Sequence, residues 1–191
     1  DKRHLVPFGE YVPLRPLLFF VDKLVVGIGE FGRGLRATVF QVGGLAFGAT
    51  ICYEVIFPGE VRDLVRAGAQ LLVNITNDAW FGRSGAPRQH LAMAALRAVE
   101  NGSYLVRAAN TGISAIIGPG GAIQAASGLF TEAVLTGQVR PRQRETFYTR
   151  TGGVQSGLAA AFVILFAAAV LAAPARRAAG SGGSHDPRPS A

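Results

Sequence analysis

Apolar and polar positions along the chain follow two periods in turn, two residues in some segments and about three and a half in others. Residues 38–42 and 45–50 are apolar-rich runs on either side of Gly43-Gly44, the pattern of two strands joined by a tight hairpin turn. In residues 60–67, Val61, Leu64 and Val65 recur at helical spacing, and Gly68 then stops the helix. Residues 71–75 predict a short buried strand, and 76–88, with Asn77, Asp78, Gly82, Gly85 and Pro87, a loop. A second helix is expected over 89–101, with Leu91, Ala95, Ala98 and Val99 on its buried face and Gly102 beyond its end. Further strands are expected at 104–108 and 133–139, so strands and helices alternate as in an α/β domain.

Two long stretches lack charge, and they differ in kind. Residues 108–131 are broken by Gly112, Gly118, Pro119, Gly120, Gly121 and Gly128, which predicts a pair of buried strands at 114–117 and 122–125 around a Gly-Pro-Gly-Gly turn. The second stretch, 151–175, contains LAAAFVILFAAAVLAA without glycine or proline until Pro174. Extended back to Val154, it has the length of about twenty residues that a membrane-crossing helix needs. The chain therefore divides into a folded domain over 1–150, a transmembrane helix over 151–175, and a small, polar, disordered tail over 176–191.

Composition sharpens this division. Apolar residues make up 49% of the 191 and charged residues only 16%, which excludes disorder through charge excess. The net charge of +7 is spread along the chain with no run longer than Arg176-Arg177. A phosphate-binding footprint clusters on one face, so nucleic acid is not expected as a partner. The single methionine is Met93 and the first residue is Asp1, which is read here as a piece of a longer protein.

Candidate chemistry centres on the only cysteine. Cys52 follows a predicted strand, where a side chain stands at the rim of a sheet and a ligand can approach. A lone cysteine is more often a small buried hydrophobe, and as a nucleophile it needs a neighbouring base or cation. The histidines, His4, His90 and His185, show no spacing that singles one out; His90 fits a helix-start or hydrogen-bonding residue better than a base. Glu54, Lys2 and Glu10 are the better candidates, while Lys23 reads as an ordinary surface residue. Arg97 and Glu100 are spaced for a helical surface or interhelical ion pair, and Asn77-Asp78 and Asn110-Thr111-Gly112 read most simply as turns. One cysteine excludes a multi-cysteine zinc site, and no motif asks for a metal or an organic cofactor.

Four blocks, DKRHLVPFGEYVP, ICYEVIFP, NITNDAWFGRSGAPRQHLAMAALRAVENG and LVRAANTGISAIIGPGG, followed by the apolar helix, closely resemble the apolipoprotein N-acyltransferase family. These are membrane enzymes whose catalytic domain belongs to the nitrilase superfamily. The resemblance implies a nitrilase-like α-β-β-α sandwich, incomplete at its N-terminal side, followed by one transmembrane helix. It also implies Cys52 as nucleophile, Lys2 as support for the tetrahedral intermediate and Glu10 as a further glutamate beside the thiol. Tyr53 and Glu54 match residues required after the nucleophile, placed here at the substrate, and Trp80 falls in a loop thought to gate lipid entry. The family's general-base glutamate lies upstream of the lysine and has no counterpart here, so the isolated chain is expected to be inactive, with exposed sheet edges.

The implied reaction moves a fatty acyl chain from a phospholipid to the N-terminal α-amino group of a diacylglyceryl-cysteine lipoprotein, through a thioester on Cys52. Its partners would be the phospholipid donor, the modified apolipoprotein acceptor and the membrane. The implied place is the inner membrane, with several spans in the whole protein, the catalytic domain on the extracytoplasmic face and the tail cytoplasmic. A nitrilase-type amidase and a non-catalytic membrane-anchored domain are the alternatives; the apolar terminal helix disfavours the first, since water-soluble amides need no bilayer anchor.

Overall fold

A computed structural model of the protein describes residues 1–7, 9–11 and 31–172. Lys23, His185, the tail over 176–191 and the last residues of the expected span therefore lie outside the described residues. The chain divides into two units with the break after Gly152.

In the first unit six strands form one mixed sheet in sequence order: β1 (Val39–Val42), β2 (Leu45–Ile51), β3 (Leu71–Asn77), β4 (Leu105–Asn110), β5 (Ala115–Ile117) and β6 (Ile123–Ala126). The central strands β2, β3 and β4 are parallel, and the outer pairs are antiparallel. The β1–β2 hairpin forms as the Gly43-Gly44 signal predicts, with φ of +56° and +81° at the two glycines. Such positive φ at both turn residues matches the twist of the flanking strands. The parallel steps run through helices α1 (Pro58–Arg66) and α2 (Ala86–Asn101).

The helices cover one face of the sheet. Leu72, Leu105, Ala115 and Ile117 from the strands meet Val61, Val65, Leu91, Ala94 and Ala98 from the helices in one buried cluster. Gly48 on β2 allows α1 to come close, since a Cβ there would lie 2.9 Å from Leu64 Cβ and 3.1 Å from Ala69 Cβ.

Several sequence expectations need correction. Helix α2 starts at Ala86 rather than at 89, because Pro87 stands in the first helical turn, where a missing N–H costs nothing. Its buried face carries His90, Arg97 and Asn101 beside Leu91, Ala94 and Ala98, while Val99 is exposed. The expected loop over 76–88 is partly ordered: β3 runs on to Asn77, paired with Asn110, and Ala79–Phe81 form a 3-10 turn. Only the first strand of the expected buried pair is buried; β6 is an edge strand and Ile123 is half exposed. The expected strand over 133–139 does not form. Val134 faces solvent, and Gly137 lies on Ile116, where an added Cβ would come 2.7 Å from Ile116 Cδ1, so the segment crosses the sheet instead of pairing with it.

Helix α3 (Phe147–Thr151) is capped by Thr146, whose hydroxyl accepts the Thr149 amide at 3.0 Å. The second unit contains α4 (Val154–Ala172), in which Val154–Leu171 is long and apolar enough to cross a membrane and none of that stretch is buried.

Candidate active site

Parallel strands deliver side chains to the rim formed by their C-terminal ends, the usual place for a ligand on such a sheet. Cys52 is the first residue after β2 and opens a 3-10 turn, Cys52–Ile56. Its φ is +58°, a left-handed conformation that a non-glycine residue adopts at a cost of about 1–2 kcal/mol. The turn reverses the chain directly at the thiol, which is partly exposed.

The segment carrying Lys2 is tied to that turn at successive residues. Glu54 Oε1 accepts the amides of Arg3 and His4, and its Oε2 accepts the amide of Ile51 at 2.7 Å. Tyr53 donates its hydroxyl to the Leu5 carbonyl at 2.8 Å. Arg3 pairs with Glu60 at 2.9 Å and with Asp63 at 3.2 Å on α1. The segment that follows Lys2 is thereby tied to the turn that follows Cys52, fifty residues on, by backbone and side-chain bonds together.

Lys2 Nζ donates to both carboxylate oxygens of Glu10, at 2.6 and 2.7 Å, and lies 5.4 Å from the centroid of the Tyr53 ring. Glu10 Oε2 also accepts the Val6 amide, which fixes the carboxylate in turn. Burial raises the Tyr53 phenol above its ordinary value of 10.0, and the charges of Tyr11 and Glu10 add to the rise.

Val6, Glu10, Cys52, Tyr53, Trp80 and Phe81 line one cavity of about 310 Å³. Most of its wall is apolar, and Trp80 at its edge is 82% exposed. The structure thus brings Cys52, Glu10, Tyr53 and Trp80 to one cavity, with Lys2 bound to Glu10. Glu54, expected at the substrate, is instead 4% exposed and spends both oxygens on backbone amides, so it braces the Lys2 segment.

Beneath the thiol lies a polar cluster that turn-reading of the sequence passes over. Thr50, Asn74 and Arg107 are aligned across β2, β3 and β4, on the same face as Leu72 and Leu105. Arg107 Nη2 donates to Asp78 Oδ2 at 2.7 Å, and Asp78 Oδ1 meets His90 Nδ1 at 3.0 Å and the Thr76 hydroxyl at 2.9 Å. Asp78 is therefore an ion-pair residue rather than simply a turn residue, and His90 serves as its hydrogen-bond partner. Burial alone would raise the Asp78 carboxyl, but the His90 hydrogen bond and the Arg107 charge outweigh it and hold it below its ordinary 3.8. Burial lowers the Arg107 guanidinium from its ordinary value, opposed by the charge and hydrogen bond of Asp78. Arg97, read as half of a surface or interhelical pair, is 5% exposed; it meets Glu100 at 2.9 Å and donates to Ile56 O at 3.0 Å, joining α2 to the end of the Cys52 turn.

The chain is similar to several known proteins. The chain is 54% identical over 177 residues to an apolipoprotein N-acyltransferase of Geobacter metallireducens, covering 93% of this chain and 33% of that protein. It is 48% identical over 153 residues to an apolipoprotein N-acyltransferase of Methylococcus capsulatus, covering 79% and 30%. The chain thus spans about a third of the length of these relatives. Among solved structures, a mutant amidase of the nitrilase superfamily from Nesterenkonia AN1 is 28% identical, with 52% of this chain and 40% of that chain covered and a TM-score of 0.44. Residues 1–148 match the carbon-nitrogen hydrolase family, so this chain, with its mixed α/β sheet and its cysteine at the strand rim, belongs to that family and has a nitrilase-superfamily fold.

Proposed function

We propose that the chain carries the catalytic part of an N-acyltransferase that moves a fatty acyl chain from a phospholipid to the N-terminal α-amino group of a diacylglyceryl-cysteine lipoprotein. The observation that carries this reading is the meeting of Cys52, Glu10, Tyr53 and the exposed Trp80 at one largely apolar cavity. An acyl chain fits such a wall, whereas a small water-soluble amide has no use for it. The names of the relatives at 54% and 48% identity point the same way.

In the proposed reaction the Cys52 thiolate attacks the ester carbonyl of the phospholipid. A carbon–sulfur bond forms, the ester carbon–oxygen bond breaks, and the lysophospholipid leaves with a proton on its oxygen. Lys2, held by Glu10, stabilises the oxyanion. The α-amino nitrogen of the acceptor then attacks the thioester, forming the amide and returning the thiol. In this reading the proton acceptor for the thiol is the glutamate that the resemblance places upstream of the lysine. Residues 1–150 form the catalytic domain on the extracytoplasmic side, 151–175 one span of the inner membrane within a multi-pass protein, and 176–191 a cytoplasmic tail. The exposed apolar surface of α4 supports the span.

The test supplies membranes containing the intact protein with a phospholipid labelled in its acyl chain. Label should appear on Cys52 as a hydroxylamine-sensitive thioester and pass to a diacylglyceryl-cysteine peptide, and Cys52→Ser should lose both. Transfer that survives Cys52→Ser overturns the nucleophile. Hydrolysis of simple amides with no transfer to the peptide overturns the acyltransferase reading in favour of an amidase.

A further inference from the structure

The Thr50-Asn74-Arg107 row answers a question raised by the backbone of Cys52. A residue at φ +58° stays there only if its surroundings enforce it. The Cys52 carbonyl accepts a hydrogen bond from Asn74 Nδ2 at 3.1 Å, and the same amide nitrogen reaches Thr50 O at 3.2 Å and Thr50 Oγ1 at 3.1 Å. An asparagine side chain can be turned either way, and here its other end decides which. Arg107 Nη1 is bonded to Asn74 Oδ1, and a guanidinium can only donate. The amide oxygen must therefore face Arg107, and the amide nitrogen must face Cys52.

The second arm of the same guanidinium goes elsewhere. Nη2 binds Asp78 Oδ2, and Asp78 begins the turn that carries Trp80: its carbonyl accepts the Phe81 amide at 3.0 Å. Gly112 leaves Asp78 its place, since a Cβ there would lie 2.7 Å from Asp78 Cβ. Nε donates to Ile113 O at 3.2 Å, which locks the fork in plane. Arg107 is 2% exposed and is not among the residues that line the Cys52 cavity, so it acts on the site through other residues.

We propose that Arg107 is a positioning residue that sets two parts of the site at once, the Cys52 turn through Asn74 and the root of the Trp80 loop through Asp78. A lysine cannot do this, because one ammonium lacks the two parallel arms of the fork. This assignment concerns the thiol and the loop and stands whichever acyl donor the site accepts.

The test uses the intact protein in membranes and follows alkylation of Cys52 by iodoacetamide from pH 6 to 10, with hydrogen exchange of residues 78–82. Asn74→Asp keeps a partner for Arg107 but presents an acceptor to the Cys52 carbonyl. Its added charge can move the midpoint of the profile, whereas a displaced thiol also lowers the plateau, expected to fall about tenfold. Exchange at 78–82 should stay unchanged in that variant. Arg107→Lys should both lower the plateau and speed exchange at 78–82. If Asn74→Asp does not fold, Asn74→Ser is read in the same way. A folded Asn74 variant with a plateau within twofold of the parent overturns the Cys52 arm. Unchanged exchange in folded Arg107→Lys overturns the Trp80 arm.

Discussion

Lys2 Nζ lies 2.6 Å from Glu10 Oε1, and Glu10 is held in turn by the Val6 amide, so the ammonium is fixed by a carboxylate eight residues further along the chain. A charge that must meet an oxyanion is most effective when it need not reorganise. Lys2→Met should therefore lower acyl transfer by the intact protein by a hundredfold or more, roughly the loss seen when an oxyanion donor is removed. Glu10→Gln keeps the shape and frees the lysine, and should cost about tenfold, mainly in kcat. Steady-state kinetics in membranes check this; an equal loss in both variants would make Glu10 more than an anchor.

The left-handed φ of Cys52 predicts an unusual order of stabilities. Glycine adopts that region freely, while alanine pays for its Cβ there. Cys52→Gly should be about 1 kcal/mol more stable than Cys52→Ala in thermal melts of the intact protein, although both lose the thiol and all transfer. Equal melting temperatures would show that the turn relaxes when the sulfur is removed.

Trp80 is 82% exposed at the edge of an apolar cavity. An indole so exposed contributes little to folding, so Trp80→Ala should leave stability within about 0.5 kcal/mol. Aromatic side chains that become covered on binding dominate such contacts. The KM for the lipid donor should rise about tenfold with kcat nearly unchanged, a loss of roughly 1.4 kcal/mol in binding. A fall in kcat alone would assign Trp80 to positioning of the thiol instead.

Period and punctuation made most of the sheet legible, and the exceptions have specific causes. Gly43-Gly44 marks its hairpin unambiguously, because few residue pairs tolerate positive φ twice. Pro87 reads as a loop residue in sequence, yet proline is equally at home in the first turn of a helix. The 133–139 segment has the alternation of a strand but packs Gly137 against Ile116 instead of pairing at a sheet edge, a fact that only tertiary contacts decide. Cys52, Lys2 and Glu10 stand out in the sequence as chemistry-bearing residues, whereas Asn74 and Arg107, single polar residues within apolar strands, do not. The signal for them was present: Asn74 is in phase with Leu72, and Arg107 with Leu105, so the period that buries the leucines also buries the polar pair. Asp78 reads as a turn residue because an aspartate before a short turn usually serves the turn alone, and its Arg107 partner lies 29 residues away.

The buried pair of Asp78 and Arg107 gives the fold a definite pH dependence. The Asp78 carboxyl lies below its ordinary 3.8 in the folded chain, so its ionised form is favoured by folding. Its contribution is fully present above the ordinary value and is lost as the pH falls through the lower folded value. Asp78→Asn removes the charge at every pH and leaves Arg107 buried without a counter-charge, at a cost of about 3–5 kcal/mol near neutrality. That difference between parent and variant should shrink below about pH 4, as the parent's own carboxyl becomes protonated. Denaturation of both intact proteins at several pH values measures it. A gap of the same size at pH 3 as at pH 7 would locate the loss in packing around residue 78 rather than in the charge.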